Sequence, residues 1–235
     1  MKTKVGVILS GCGFLDGSEI HESVLTLLAL DELGAEAVCM APRGLQLQVV
    51  DHASGEPQGG ASRDVLSESA RIARGHIVDV ATVRVAQLDA VVLPGGFGAA
   101  KNLCNFASKG AAAVPHGDVA RLLREMHAAG KPIGAICIAP ALVAATLGRH
   151  VHPTLTIGND AGTAKALVAM GATHRDCPVT ECVIDQKNRI VTAPAYMYDA
   201  RIVDVAAGIK KLVAVVMGMA AEGGAVAGRT VEGAR

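Results

Sequence analysis

The feature that most constrains the fold of this chain is a set of short, continuous apolar runs separated by helical patterns. Val5–Leu9, Ala90–Leu93 and Ile133–Ile136 contain no charged or hydrogen-bonding side chain, and each is too short to be a helix. Between such runs the apolar residues follow helical spacing, as at positions 24, 25, 27, 28, 30 and 33. Uninterrupted apolar strands alternating with helices predict a flavodoxin-like, doubly wound, mostly parallel α/β sheet with helices on both faces. Further strands are expected at Glu36–Ala41 and, as an edge strand or hairpin, at Leu47–Asp51. Thr154–Ile157, Ala161–Met170, Val179–Asp185 and Arg189–Thr192 are expected to complete the sheet region. Ser18 is the expected N-cap of the first helix and Gly34 its stop. Other helices are expected from Ser62 to Arg74, from Asp118 to Ala129, over 138–147 and over about 200–220.

The 235 residues, 51% hydrophobic and 19% charged, suit one large α/β domain over 1–221 followed by a loosely held tail over 222–235. Lys plus Arg balances Asp plus Glu at 22 each, so there is no basic excess for nucleic acid. The six cysteines form no CxxC pair, which leaves no zinc-type spacing and no metal expected. With no signal-like N-terminus, unpaired thiols point to a reducing compartment, read here as the cytoplasm. The uncharged stretch Pro132–Gly148 approaches membrane-span length. It contains two prolines and is better explained as a buried strand and helix, so no membrane association is expected.

At Ile136-Cys137-Ile138 an apolar strand runs straight into a helix with a cysteine at the join, the arrangement of a nucleophile elbow. Free N–H groups at the helix start favour a thiolate, and a thiol shifted from ~8.5 to about 6 would be mostly ionised at neutral pH. A buried structural cysteine is the other reading of the same residues.

In sheets of this type ligands sit at the carboxyl ends of the strands, near a topological switch point. The loops to inspect are therefore 10–22, 94–106, 137–140 and 158–161. Pro94-Gly95-Gly96 can bring backbone N–H groups close to a ligand and, with the N–H of Ile138, form an oxyanion hole; it can equally be an ordinary glycine turn. Glu22 reads either as a carboxyl partner of Cys137, with a pKa raised by burial and an adjacent thiolate, or as a first-turn glutamate complementing the helix dipole. Cys12 is a second loop thiol, as a redox partner, a substrate contact or a loop filler. Asn102 and Tyr196 are further candidates for lining the pocket, whereas His21 is expected to face elsewhere.

Gly6-Val7-Ile8-Leu9-Ser10-Gly11-Cys12-Gly13, Asp16-Gly17-Ser18-Glu19-Ile20-His21-Glu22, Leu93-Pro94-Gly95-Gly96-Phe97-Gly98-Ala99-Ala100-Lys101-Asn102-Leu103, Cys137-Ile138-Ala139-Pro140 and Pro194-Ala195-Tyr196-Met197 together resemble the ElbB-type isoprenoid-biosynthesis glyoxalases. These are the enhancing-lycopene-biosynthesis proteins of the PfpI-type, class I glutamine-amidotransferase-like superfamily. The likeness runs from Lys4 to about Met217. It implies Cys137 as nucleophile, Glu22 as its carboxyl partner, and Gly96 and Ile138 as oxyanion-hole amides. It also implies a homodimer and a cofactor-independent, glyoxalase III-like lyase that turns a small dicarbonyl, glyoxal, into glycolate, an activity related to deglycation. The superfamily's triad histidine, about twenty residues beyond the cysteine, has no counterpart here, since the stretch reads Leu155-Thr156-Ile157-Gly158-Asn159-Asp160. That absence argues against an amidotransferase or protease and for slow turnover. A regulatory protein or redox and electrophile sensor using the same thiol is the alternative.

Overall fold

In a computed structural model, which describes residues 2–232 with side chains through Gly223, the apolar runs form the centre of a seven-stranded sheet. In chain order the elements are β1 (Lys4–Ile8), α1 (Ile20–Glu32), β2 (Glu36–Ala41), α2 (Val65–Ile72), β3 (Val78–Asp79), β4 (Ala90–Leu93), α3 (Phe97–Lys101), α4 (Phe106–Lys109) and α5 (Gly117–Ala128). They continue with β5 (Ile133–Ile136), α6 (Ala139–Val151), β6 (Thr154–Leu155), α7 (Ala161–Ala169), β7 (Thr173–His174), β8 (Val183–Asp185), β9 (Ile190–Ala193) and α8 (Ile202–Glu232). The strand order is β3-β2-β1-β4-β5-β9-β8, parallel except for the antiparallel β8–β9 edge.

All residues of β4, β5 and β9 are buried, because helices cover both faces and leave no side for polar residues. One core contains Leu122, Leu123 and Met126 of α5 with Leu142 and Val143 of α6. The other contains Ala29 and Leu30 of α1 with Val205, Ile209, Leu212 and Val216 of α8. The chain leaves β1 toward β2 on one side and later returns to β4 on the other, so the order reverses between β1 and β4. The crevice at such a reversal is where ligands of doubly wound sheets bind.

Several local expectations are corrected. Glu19, not Ser18, caps α1: its carboxylate accepts from the N–H of Glu22 at 2.6 Å. Ser18 is instead buried, where its Oγ accepts from the N–H of Ser10 at 2.8 Å. Asp64, not Ser62, caps α2. Leu47–Asp51 forms no strand; its pairing is limited to an isolated bridge between Val50 and Pro57, and side chains of Asn102 and Asp16 accept from the N–H groups of Leu47 and Val50. Residues 154–157 and 161–170 do not join the main sheet: β6 pairs with β7 in a separate two-stranded sheet, and 161–169 is helical. Glu181 and its neighbours lie outside β8, which is shorter than expected. The last helix runs on to Glu232, past the expected start of the tail at 222; most of that tail's side chains lie outside the described residues.

The Ser18–Ser10 bond pins the loop between β1 and α1, and with it the entry of α1 into the sheet end. Ser18→Ala leaves a buried N–H without an acceptor and is expected to cost about 1–3 kcal/mol. Urea denaturation checks this; an unchanged midpoint would remove the loop's anchoring role.

Candidate active site

The ends of β4, β5 and β9 and the start of α1 converge on Cys137. The residue has φ +60°, a region β-carbon sterics disfavour and one that persists only where the surroundings hold it. Here the holding contact is the Cys137 N–H, which donates to the Ala193 carbonyl at the end of β9, 2.8 Å away. α6 follows at once, with Pro140 in its first turn where a missing N–H is harmless. The turn thus places the Cys137 sulfur at the N-terminus of a helix, within hydrogen-bonding reach of the N–H groups of Gly96 and Ile138.

Glu22 meets the sulfur from α1. It is fully buried, hydrogen-bonded to Cys137, and accepts from the N–H of Gly95 at 2.8 Å through Oε2 and from the N–H of Tyr196 at 3.3 Å through Oε1. The two glycines are there for want of space. A Cβ on Gly95 would stand 2.5 Å from that of Cys137 and 2.8 Å from Glu22 Oε2. Gly96 has φ +90°, and a Cβ there would collide with Glu19 N and Gly17 O.

Burial pushes the Glu22 carboxyl up to about 8, with the Glu19 charge adding to it and the Gly95, Cys137 and Tyr196 hydrogen bonds pulling back. The expected contribution of an adjacent thiolate is not among these causes. Burial also drives the Cys137 thiol well above its ordinary range, with the Glu22 charge second, against the pull of the Gly96 and Ile138 amides. This corrects the expectation of a thiol shifted down toward 6. The helix start does favour the anion, but at 8% exposure desolvation outweighs it. Because two anions in contact are disfavoured, the groups titrate as a pair. Glu22 is therefore the first of the two to ionise, and its carboxylate then faces the Cys137 thiol as a base, while the Gly96 and Ile138 amides point at Sγ.

The sulfur opens into a cavity of about 420 Å³ lined by Gly96, Cys137, Ile138, Tyr196 and Met197, by Phe14, Phe97 and Phe106, and by Glu19, Asp160 and Thr163. Tyr196 accordingly lines the pocket, and its hydroxyl lies 2.9 Å from Nδ1 of His21, which is exposed and does not itself line the cavity. Gly95 stands behind the sulfur. Asn102 is elsewhere: its amide donates to the carbonyls of Ser10 and Asp16, both at 2.8 Å, and fixes the loop after β1. Cys12 also lies outside the cavity, among Glu68, Arg71, Asp16 and Arg63. In the stretch without a histidine, Asp160 reaches the cavity while capping α7. Among the described residues no group of three or more His, Cys, Asp or Glu could hold a metal ion, and no helix is long and apolar enough to cross a membrane.

A strained cysteine on a strand-to-helix turn, a buried glutamate against it and amides on its sulfur define an amidotransferase-like α/β protein with a cysteine elbow. The chain matches the DJ-1/PfpI family over residues 15–198, and it belongs to that family. It is 47% identical over 219 residues to the human glutamine amidotransferase-like class 1 domain-containing protein 3, mitochondrial, a match covering 89% of this chain and 81% of that one. It is 45% identical to the rat ES1 protein homolog, mitochondrial, covering 90% of this chain and 82% of that one. The crystal structure of an isoprenoid biosynthesis protein with amidotransferase-like domain from Ehrlichia chaffeensis is 40% identical. It superposes with a TM-score of 0.87, covering 92% of this chain and 99% of that one. The names of the human and rat relatives correct the cytoplasmic expectation. Unpaired thiols call for a reducing compartment but do not say which.

The raised Glu22 carboxyl links stability to pH. It is protonated in both states below about 4.5, while between about 4.5 and about 8 the unfolded chain releases the proton and the folded chain keeps it. Stability is therefore expected to fall as pH rises through that window. Glu22→Gln should flatten the fall in a denaturation series; an unaltered pH profile would contradict the assignment.

Proposed function

We propose that this chain is a cofactor-independent glyoxalase that converts glyoxal to glycolate at Cys137. The observation that carries the reading is the buried contact between the Cys137 sulfur and the Glu22 carboxyl, with the N–H groups of Gly96 and Ile138 converging on the same sulfur. The Glu22 carboxylate takes the thiol proton as the sulfur attacks one aldehyde carbon, and the oxygen made negative there lies against these two amides. Glu22 gives that oxygen its proton, then as carboxylate takes the hydrogen from the attacked carbon and returns it to the neighbouring carbon. The first carbon is thereby oxidised to a thioester and the second reduced to an alcohol, with no outside oxidant. Water cleaves the thioester and releases glycolate, a proton and the thiol.

One carboxyl handles every proton in this scheme, and general acid–base help is typically worth ~10²–10⁴-fold, so turnover is expected to be slow. The site's burial speaks against the sensor alternative, which needs an accessible thiol of low pKa. The human relative's name refers to an amidotransferase-like domain, but amidotransferase chemistry on this fold would need the histidine that 155–160 lacks. A homodimer belongs to the same proposal. Ile20, Val24 and Leu28 form an exposed apolar line along α1 that a second copy would cover, and light scattering of the purified chain reads it.

Glycolate formation from glyoxal is the test. Cys137→Ala and Glu22→Gln should each reduce it to the uncatalysed rate; equal rates in the wild type and both variants would refute the mechanism.

A further inference from the structure

The cavity in front of Cys137 is far larger and more aromatic than glyoxal requires. Its volume of about 420 Å³ falls in the range of roughly 300–1,000 Å³ typical of sites for much larger ligands. The chain has only three phenylalanines and two tyrosines, and all three phenylalanines and Tyr196 line this one cavity. Neither hydrophobic core has a phenylalanine among its buried residues, and only Phe106 packs against the edge of one, so packing of the sheet does not account for Phe14 and Phe97.

Two of the rings are held in place from behind, although each is nearly half exposed. Phe14 is 48% exposed and meets His52 edge-on with centroids 5.5 Å apart. Phe97 is 47% exposed and carries the Lys101 ammonium 5.1 Å from its ring centre. That lysine is tied to the Leu15 carbonyl at 2.8 Å and to Gln48 Oε1 at 2.9 Å, and it does not line the cavity. Exposed rings anchored in this way form an apolar surface whose ordering cost is already met.

The charge of the lining has one sign. Glu19 and Asp160 face the cavity, and no Lys, Arg or His is among the described residues lining it. Both carboxylates are fixed as helix caps, accepting from the N–H of Glu22 at 2.6 Å and of Thr163 at 2.7 Å. A phosphate or carboxylate on the substrate would find no partner here and two charges of its own sign.

We propose that the preferred substrates are uncharged α-oxoaldehydes bearing an aryl or similarly bulky apolar group, with the aldehyde carbon at Cys137 and the apolar group among Phe14, Phe97 and Phe106. This inference rests on the glyoxalase reading. For phenylglyoxal the chemistry is the same: sulfur adds to the aldehyde carbon, the hydrogen moves to the ketone carbon, and water hydrolyses the thioester. The aldehyde carbon is oxidised, the ketone carbon reduced, and phenylglyoxal plus water gives mandelate and a proton.

The test compares kcat/KM for phenylglyoxal, its para-carboxylated derivative and glyoxal, in the wild type and in Phe106→Ala and Phe97→Ala. Phenylglyoxal is expected to exceed glyoxal by roughly 10-fold or more, the scale on which apolar pockets discriminate. The carboxylated compound should fall below phenylglyoxal, and either alanine variant should shrink the phenylglyoxal-to-glyoxal ratio. Turnover of glyoxal with no preference for phenylglyoxal, or a preference that both variants retain, would overturn the inference and leave the reading of Cys137 standing. If neither aldehyde is turned over, the glyoxalase reading fails, and the pocket is tested by protection of Cys137 from iodoacetamide with 2-hydroxyacetophenone. Protection in the wild type that weakens in Phe106→Ala supports the apolar site; absence of protection overturns it.

Discussion

The contact between the Glu22 carboxyl and the Cys137 sulfur is the constraint on which the site depends. Neither group would be tolerated alone where it stands. A carboxyl with no exposure to water needs donors, which Gly95 and Tyr196 supply through their backbones. A sulfur in a positive-φ turn needs its backbone held, which Ala193 at the end of β9 provides. Four segments far apart in sequence are fixed against one another by these bonds. Gly95 follows from the same constraint, because a side chain there would occupy the space of the pair, whereas one at Gly96 would meet the backbone of residues 17–19.

The sheet matters to this site chiefly as a device for alignment. Parallel pairing of β1 with β4, β4 with β5 and β5 with β9 brings their carboxyl ends to one edge. α1 starts beside that edge because its cap, Glu19, takes the Glu22 N–H while the Glu19 N–H bonds the Gly95 carbonyl. One short segment, 17–22, therefore caps a helix, packs against the glycine turn and delivers the acid. Cys137, Gly96 and Ile138 come to the cavity from the ends of β4 and β5 and the start of α6, and the three rings from the loop after β1 and the first residues of α3 and α4.

Much of this was legible in the sequence where the signal is local. Ala90–Leu93 and Ile133–Ile136 are strands with the expected limits because a buried parallel strand has no polar positions to blur them. The positions of Cys137, Glu22, Gly95 and Gly96 could be placed together from strand ends alone. What depends on distant partners was not legible. β3, β6 and β7 have two residues each, too few for a period, and Ser18 was read as a cap because its bond to Ser10 crosses the loop. The direction of the Cys137 shift was missed because it depends on how completely the site is closed, whereas the helix start that favours the anion is visible locally. Phe14, Phe106 and Asp160 went unremarked in loops already singled out, and a signal for the rings did exist. In a chain with three phenylalanines, none falls within an apolar strand run, which is unusual for residues that normally supply core volume.

The central claim is that the folded protein holds Glu22 as a neutral acid against the sulfur at neutral pH. Infrared difference spectroscopy between the wild type and Glu22→Gln, taken from mildly acidic to alkaline pH, measures this directly through the carbonyl stretch of the protonated carboxyl. The account predicts a protonated-acid band at neutral pH that disappears as the pH passes about 8. A carboxylate already ionised at neutral pH, titrating near 4.5 as an ordinary glutamate does, would contradict it.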